Sequence, residues 1–155
     1  MSEATAAASN VPGLGRLGYA GLIPFAVLAV APGVNPAWQP VAGQALTVYS
    51  VAVLSFIGAV AWGLVLMRPT WPEARRRALA VWGVAPSLLA TVAALAPAPE
   101  RFGLFLATLW LAWWAERRLY PLNELPQAWL TLRLRLSTGV SVCWLLAWPL
   151  HRVAA

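Results

Sequence analysis

The chain has 155 residues, 61% hydrophobic and only 10% charged, with a mean hydropathy of +0.69. Soluble domains run nearer half apolar and a quarter charged, so this composition excludes an ordinary water-soluble core and points to the bilayer. The net charge of +6 and pI of 11.1 come from arginine alone. Those arginines stand in short segments between apolar runs, the pattern that orients a membrane protein, so nucleic acid is not an expected partner.

Residues 1–16 begin "MSEATAAASNVPG", which is Ala/Ser-rich and has no apolar periodicity. They read as a flexible N-terminal tail, and residues 17–155 as a single helical membrane domain. The first apolar run is about 17–34. Ala29 to Ala31 resembles a signal cleavage site, but Pro32 follows at once and the segment before it sets Arg16 against Glu3. An uncleaved first helix is therefore expected. "NPAWQP" (35–40) is a Pro-rich turn.

The second span, about 41–67, has no charged residue and is long enough to cross a hydrocarbon core of about 30 Å. "RPTWPEARRR" (68–77) breaks it, and the third span covers about 78–96. "PAPER" (97–101) turns the chain into a short apolar run at 102–115, extended by its polar end to a span of about 102–118. The last apolar run, 136–150, sits inside a span of about 133–152. Both short runs are open to a re-entrant reading, so charge has to decide. With five spans, nine of the eleven arginines (16, 68, 75, 76, 77, 117, 118, 133 and 135) share one side, against Arg101 and Arg152. The positive-inside rule then gives an all-α, five-helix membrane protein with its N-terminus cytoplasmic and its C-terminus outside. Arg117, Arg133 and Arg135 are expected to snorkel and so lengthen the short helices.

Tryptophans repeat the pattern. Trp62, Trp82, Trp113, Trp114 and Trp129 fall near the cytoplasmic ends, Trp38 and Trp148 near the outer ends, as an aromatic belt does. Trp144 lies deeper, and its indole N–H needs a partner. There is no internal repeat, and an odd number of spans resists a two-fold inverted plan.

Little in the chain points to catalysis. No ionisable residue falls in the middle of an expected span, and the single histidine, His151, lies at the end of the last helix. No metal-ligand set, phosphate loop or activated nucleophile is visible, so neither a cofactor nor an enzyme is expected. Cys143 has no second cysteine to pair with and reads as a small packing residue. The acids sit at helix ends: Glu116 beside Arg117 and Arg118, Glu73 four residues before Arg77, Glu100 against Arg101. Each reads as a local, interfacial pair. Arg75, Arg76 and Arg77, with Arg133 and Arg135, are placed to meet anionic lipid head groups.

Two prolines fall inside spans. Pro24 and Pro86 each remove a donor and free the carbonyl four residues back, on Ala20 and Trp82. Those positions are kinks or, in a transporter, ion ligands, with Ser87 or Thr91 able to assist either. In "YSVAVLSFIGAVAWG" (49–63), a turn of roughly 100° per residue puts Gln44, Thr47, Val51, Ser55, Gly58, Ala59 and Trp62 on one face. Leu46, Val53, Ile57, Val60 and Leu64 fall opposite. Ser55, Ala59 and Gly63 have small-xxx-small spacing, which predicts a packing seam. Tyr49 and Ser50 lie off that face.

Four segments together resemble an uncharacterised membrane family, the domain of unknown function 3429, which includes transmembrane protein 69. "LGYAGLIPF" (17–25) is similar to its first helix. In 49–63, Tyr49, Leu54, Ser55, Phe56, Gly58, Trp62 and Gly63 match. "WGVAPSLLA" (82–90) matches at Pro86 and Ser87, and "LPQAWLTLRLRLST" (125–138) at Pro126, Trp129, Arg133 and Thr138. The chain departs at Ala61, where relatives often carry Arg or His. The resemblance implies multispan architecture and no established activity. The expectation is a plasma-membrane protein (the inner membrane in a bacterium) that packs with itself or with a membrane partner. The alternative is a small-solute or ion transporter built on the Pro24 and Pro86 kinks and the Gln44/Ser55 face.

Overall fold

A computed structural model of the chain describes residues 14–97, 100–120 and 127–150, and their regular structure is helical throughout. The N-terminal tail, the 121–126 segment with Pro126, and His151 and Arg152 lie outside the described residues. Helix α1 (Leu14–Ala20) and helix α2 (Leu22–Val34) make up the first apolar run. A single 3-10 turn (Pro36–Trp38) leads into α3 (Gln39–Met67), followed by α4 (Glu73–Leu95), α5 (Glu100–Leu119) and α6 (Gln127–Leu150).

The ends of these helices follow from their sequences. The Asn35 side chain accepts the Ala37 N–H at 3.0 Å and opens the turn. Pro40 falls in the first turn of α3, where a missing N–H leaves no bond unmade. Pro69 and Pro72 keep α3 and α4 apart, and Glu73 begins α4. Helix α5 has Glu100 in its first turn and Arg117 and Arg118 in its last, each favourable to the helix dipole.

The first run differs from its expectation. It breaks at Gly21, whose N–H points back to the Leu17 and Gly18 carbonyls at 3.2 Å. Pro24 then stands in the first turn of α2, where it starts a helix instead of kinking one, and the proline inside α2 is Pro32. Pro86 does lie inside α4, which runs unbroken around it.

Among the described residues, four segments are long and apolar enough to cross a membrane: Gly15–Val34, Pro36–Met67, Glu73–Leu95 and Trp129–Pro149. Helix α5 has 20 residues, a length of about 30 Å, but charges occupy both of its ends. The last helix begins well before the expected residue 133, because "QAWLTLRLR" is helical too. Helix α3 packs chiefly on α4, and α6 on α2 and α5.

The α3–α4 contact is a glycine crossing. A methyl group added at Gly58 would overlap the Gly83 carbonyl and touch Pro86, and one at Gly83 would strike the Trp62 ring. Between apolar helices in lipid there is no hydrophobic drive to associate, so close approach of this kind carries the packing. The main core lies beside it. Trp144 of α6 is buried and meets Phe25 of α2 edge-on at 5.9 Å and Phe105 of α5 in a stack at 5.4 Å. Its Nε1–H donates to Ser50 Oγ of α3 at 3.0 Å, which supplies the partner the indole needed. Ser50 in turn donates to the Leu46 carbonyl at 2.7 Å. One tryptophan thus joins four helices. Cys143 is half-buried against the same core.

Candidate functional site

The polar groups held inside the bundle gather where α5 meets α6. Arg133 is 7% exposed and Glu116 2% exposed. Arg133 Nη2 donates to Glu116 Oε1 at 3.1 Å, and Nη1 donates to Ser137 Oγ one turn along α6 at 3.1 Å. This corrects two expectations. Glu116 pairs with Arg133 across 17 residues, not with its neighbours Arg117 and Arg118, and Arg133 turns inward instead of snorkelling outward. The neighbours have other company. The Arg117 guanidinium lies over the Trp113 ring at 4.8 Å and that of Arg118 over Trp114 at 5.3 Å. Those i, i+4 pairs suit a helix end at a membrane interface.

The ion pair satisfies only part of the acid. Glu116 Oε2 is buried and has no hydrogen-bond partner among the described residues, and neither has the Tyr120 hydroxyl. Tyr120 donates its N–H to the Glu116 carbonyl at 2.9 Å, so it continues the helical path and shares the Glu116 side of α5. Burial, and secondarily the Glu116 carboxylate, push the Tyr120 phenol above its ordinary value, so it remains a neutral hydroxyl at physiological pH.

A cavity of about 450 Å³ adjoins the pair. Its walls come from α1 (Leu17, Gly18), α2 (Leu22, Phe25), α3 (Tyr49, Val53, Phe56, Ile57, Val60), α5 (Leu109, Glu116) and α6 (Trp129, Leu132, Arg133, Leu136, Ser137, Val140). Gly21, at the break in the first run, lines it as well. Apart from the charged pair, Tyr49 and Ser137, the lining is hydrocarbon, aromatic or glycine. Tyr49 Oη donates to the Gly21 carbonyl at 3.0 Å, so this hydroxyl caps the broken helix.

The sequence-derived candidates fall into three groups. Tyr49, Trp129 and Arg133 come together on the cavity wall. Gly58, Trp62 and Pro86 come together at the α3–α4 crossing, where Trp62 Nε1 donates to the Ala80 carbonyl at 3.1 Å. Gln44 and Gly63 are exposed, Ser55 and Pro24 are half-buried, and Ser87 donates to the Val84 carbonyl of its own helix at 2.8 Å. The expected seam is therefore split, because Gly58 packs inside the bundle while Ala59 and Gly63 face out. Arg101 also departs from its expected local pairing with Glu100: it reaches Thr47 Oγ1 at 3.2 Å and the Ala96 carbonyl at 3.0 Å. Ala61 is fully buried in a smaller cluster with Leu79 and Tyr120.

Tyr120, Ser137 and Gly83 were not singled out from sequence, Ser50 only as lying off the α3 face, and Glu116 only as a local pair. One signal was present, since Arg133 and Ser137 are four apart on a helix. The charges after Glu116 hid the other half of the pair. No curated protein and no solved structure matches the chain. The profile of the family described as Protein of unknown function (DUF3429) matches residues 13–149, nearly the whole length, and the chain belongs to that family.

Proposed function

We propose that the chain is a non-catalytic, five-span component of the plasma membrane that associates through α3 with a second copy of itself. Its N-terminus is cytoplasmic and its C-terminus outside; another membrane protein is the alternative occupant of the same face. The observation that carries the reading is the outward face of α3. Ala52, Ala59 and Gly63 are exposed on one side, with the exposed Phe56 ring between Ala52 and Ala59, and nothing lies within 4 Å of the position where Gly63 would carry a Cβ. Small residues on a lipid-facing helix let a second backbone approach. The hydroxyls of the bundle support a structural role. Thr47, Thr91, Thr108, Thr138 and Ser141 each donate to a carbonyl four residues back on their own helix. Arg75 and Arg77, which are exposed, and Arg76 lie where anionic head groups would meet them.

The transporter reading needs Gln44, Ser55 and the prolines on one path. Gln44 is exposed, Ser55 half-buried, and Pro86 packed into the glycine crossing. The association reading is tested by Ala59→Leu combined with Gly63→Leu, with in-membrane crosslinking and native mass spectrometry from nanodiscs. The wild type should appear as an oligomer and the double variant as a monomer of unchanged abundance. A monomeric wild type, or an oligomer indifferent to both leucines, would sink the reading.

A further inference from the structure

Helices α3 and α6 are joined by the bond from Trp144 to Ser50, but among the described residues they have no extended backbone contact. The cavity of about 450 Å³ occupies the gap between them. It runs from Trp129 to Val140 on α6 and from Val60 to Tyr49 on α3, each about 16 Å of helix. That is roughly half of a hydrocarbon core about 30 Å thick, the depth of one leaflet. Spread over this length, the volume makes a channel about 6 Å wide, too narrow for a helix of about 10–12 Å.

Exposure shows where the channel opens. Phe25, Ile57, Leu109 and Val140 on its wall are buried and form a closed floor. Leu17 of α1 and Phe56 of α3 line it too but are strongly exposed, so they form the rim. Helix α1 leans on α6, where a methyl group at Gly18 would touch Leu132 and Leu136, and has no extended contact with α3. The mouth therefore opens sideways between α1 and α3, and both rim residues lie within segments fit to cross a membrane. The polar groups on the wall are already bonded: Arg133 to Glu116 and Ser137, Tyr49 to the Gly21 carbonyl. Glu116 Oε2 is enclosed and offers the cavity nothing. An empty channel forfeits the dispersion contacts of its lining, and water needs polar partners that are not on offer here.

We propose that the cleft holds one acyl chain of a diacyl phospholipid, whose second chain stays in the bilayer outside the mouth. Trp129 opens the last span and so marks the interface end, where the chain enters; Val140 and Tyr49 mark the deep end. The depth fits one chain of one leaflet, and the width excludes a partner helix. The sideways mouth admits the chain without the lipid leaving the membrane. The inference rests on the membrane reading and not on self-association, which uses the Ala52, Ala59 and Gly63 side of α3.

The test uses the wild-type protein in phosphatidylcholine nanodiscs doped with one of two photoreactive phosphatidylcholines. One carries its diazirine near the chain carbonyl, the other at the chain end. Crosslinked residues are mapped by mass spectrometry. The first probe should label Leu132 and Val60, and the second the deeper Val53 and the buried Val140. The exposed Leu88 and Leu145 should take label from bulk lipid and serve as the internal control. Val140 left clear while Leu88 and Leu145 are labelled overturns the proposal, and needs no variant to do so. The same label at every depth from both probes overturns the fit to one leaflet. Val53→Trp, which fills the cleft, should abolish label on Val140 and keep it on Leu145; label on Val140 that survives the filling also counts against the proposal. Recovery of the wild type in the nanodisc fraction checks the membrane reading separately, so the two failures are told apart.

Discussion

Gly58 and Ser50 illustrate how much single atoms decide in this protein. At Gly58 the obstacle to a methyl group is the Gly83 backbone; at Gly83 it is the Trp62 ring, held by its bond to the Ala80 carbonyl, with the Gly58 carbonyl oxygen at 3.1 Å. Gly58→Ala and Gly83→Ala should therefore each cost about 1–3 kcal/mol, as overpacking does. Gly63→Ala, in open space, should be neutral. Denaturant titrations in detergent, followed by tryptophan fluorescence, rank the three. Ser50→Ala would strand the buried Trp144 indole N–H at a cost of about 1–3 kcal/mol. Adding Trp144→Phe should give less than the sum of the two single losses, and a double-mutant cycle measures the difference. From sequence, a partner for Trp144 was foreseeable, because a deep indole must be satisfied. That the partner would be Ser50 was not, because 94 residues separate them. In 49–63 the helical angle orders residues around an axis without saying which side meets the neighbours.

Among the helices, α5 and α6 are the pair whose contact sequence reasoning missed. Their charged contact is the Glu116–Arg133 bond, beside the Phe105–Trp144 stack and the Trp110 Nε1–H donated to Ser141 Oγ, and its single variants should be costly. Arg133→Met leaves a buried carboxylate without its cation, a loss of about 3–5 kcal/mol. Replacing both residues by leucine should restore most of that stability, since an apolar pair of similar size often equals a buried ion pair. Thermal unfolding of purified single and double variants checks the order. Helices α3 and α4 were legible because their apolar runs are long, whereas the break of the first run into α1 and α2 was not. The ends of α5 and α6 were less so: "ERRL" and "QAWLTLRLR" are polar enough to look like loop, yet both stay helical. Glu116 appeared interfacial because its two following residues are arginines, and those two are occupied by Trp113 and Trp114 one turn earlier.

At the scale of the whole chain, the five-span reading rests on charge. Among the described residues four segments qualify on length and apolarity, and α5 qualifies only if its ends lie at the two interfaces. Reporter fusions should place residues 70–75 on the cytoplasmic side and Ala155 outside. Both on one side would mean that α5 does not cross. Membrane character and helical class could be read from composition, because 61% hydrophobic content has few other solutions. The cavity could not. It arises where the break at Gly21, the Tyr49 cap and the inward turn of Arg133 coincide, and these lie on three separate segments.

The ion pair has a consequence for how such a chain enters the membrane. An arginine at mid-helix adds about 2.5–3.5 kcal/mol to the cost of inserting that helix alone, and an acid adds a comparable amount. Glu116 and Arg133 sit nearer the ends of their helices, so each pays less than this, but α5 is already the least apolar segment. Their two costs fall together once the side chains meet. On the five-span reading, α5 then gains its bilayer position late, when α6 has been synthesised, and the two enter as a hairpin. A chain truncated after residue 126 should leave α5 poorly inserted, although every residue of that helix is present.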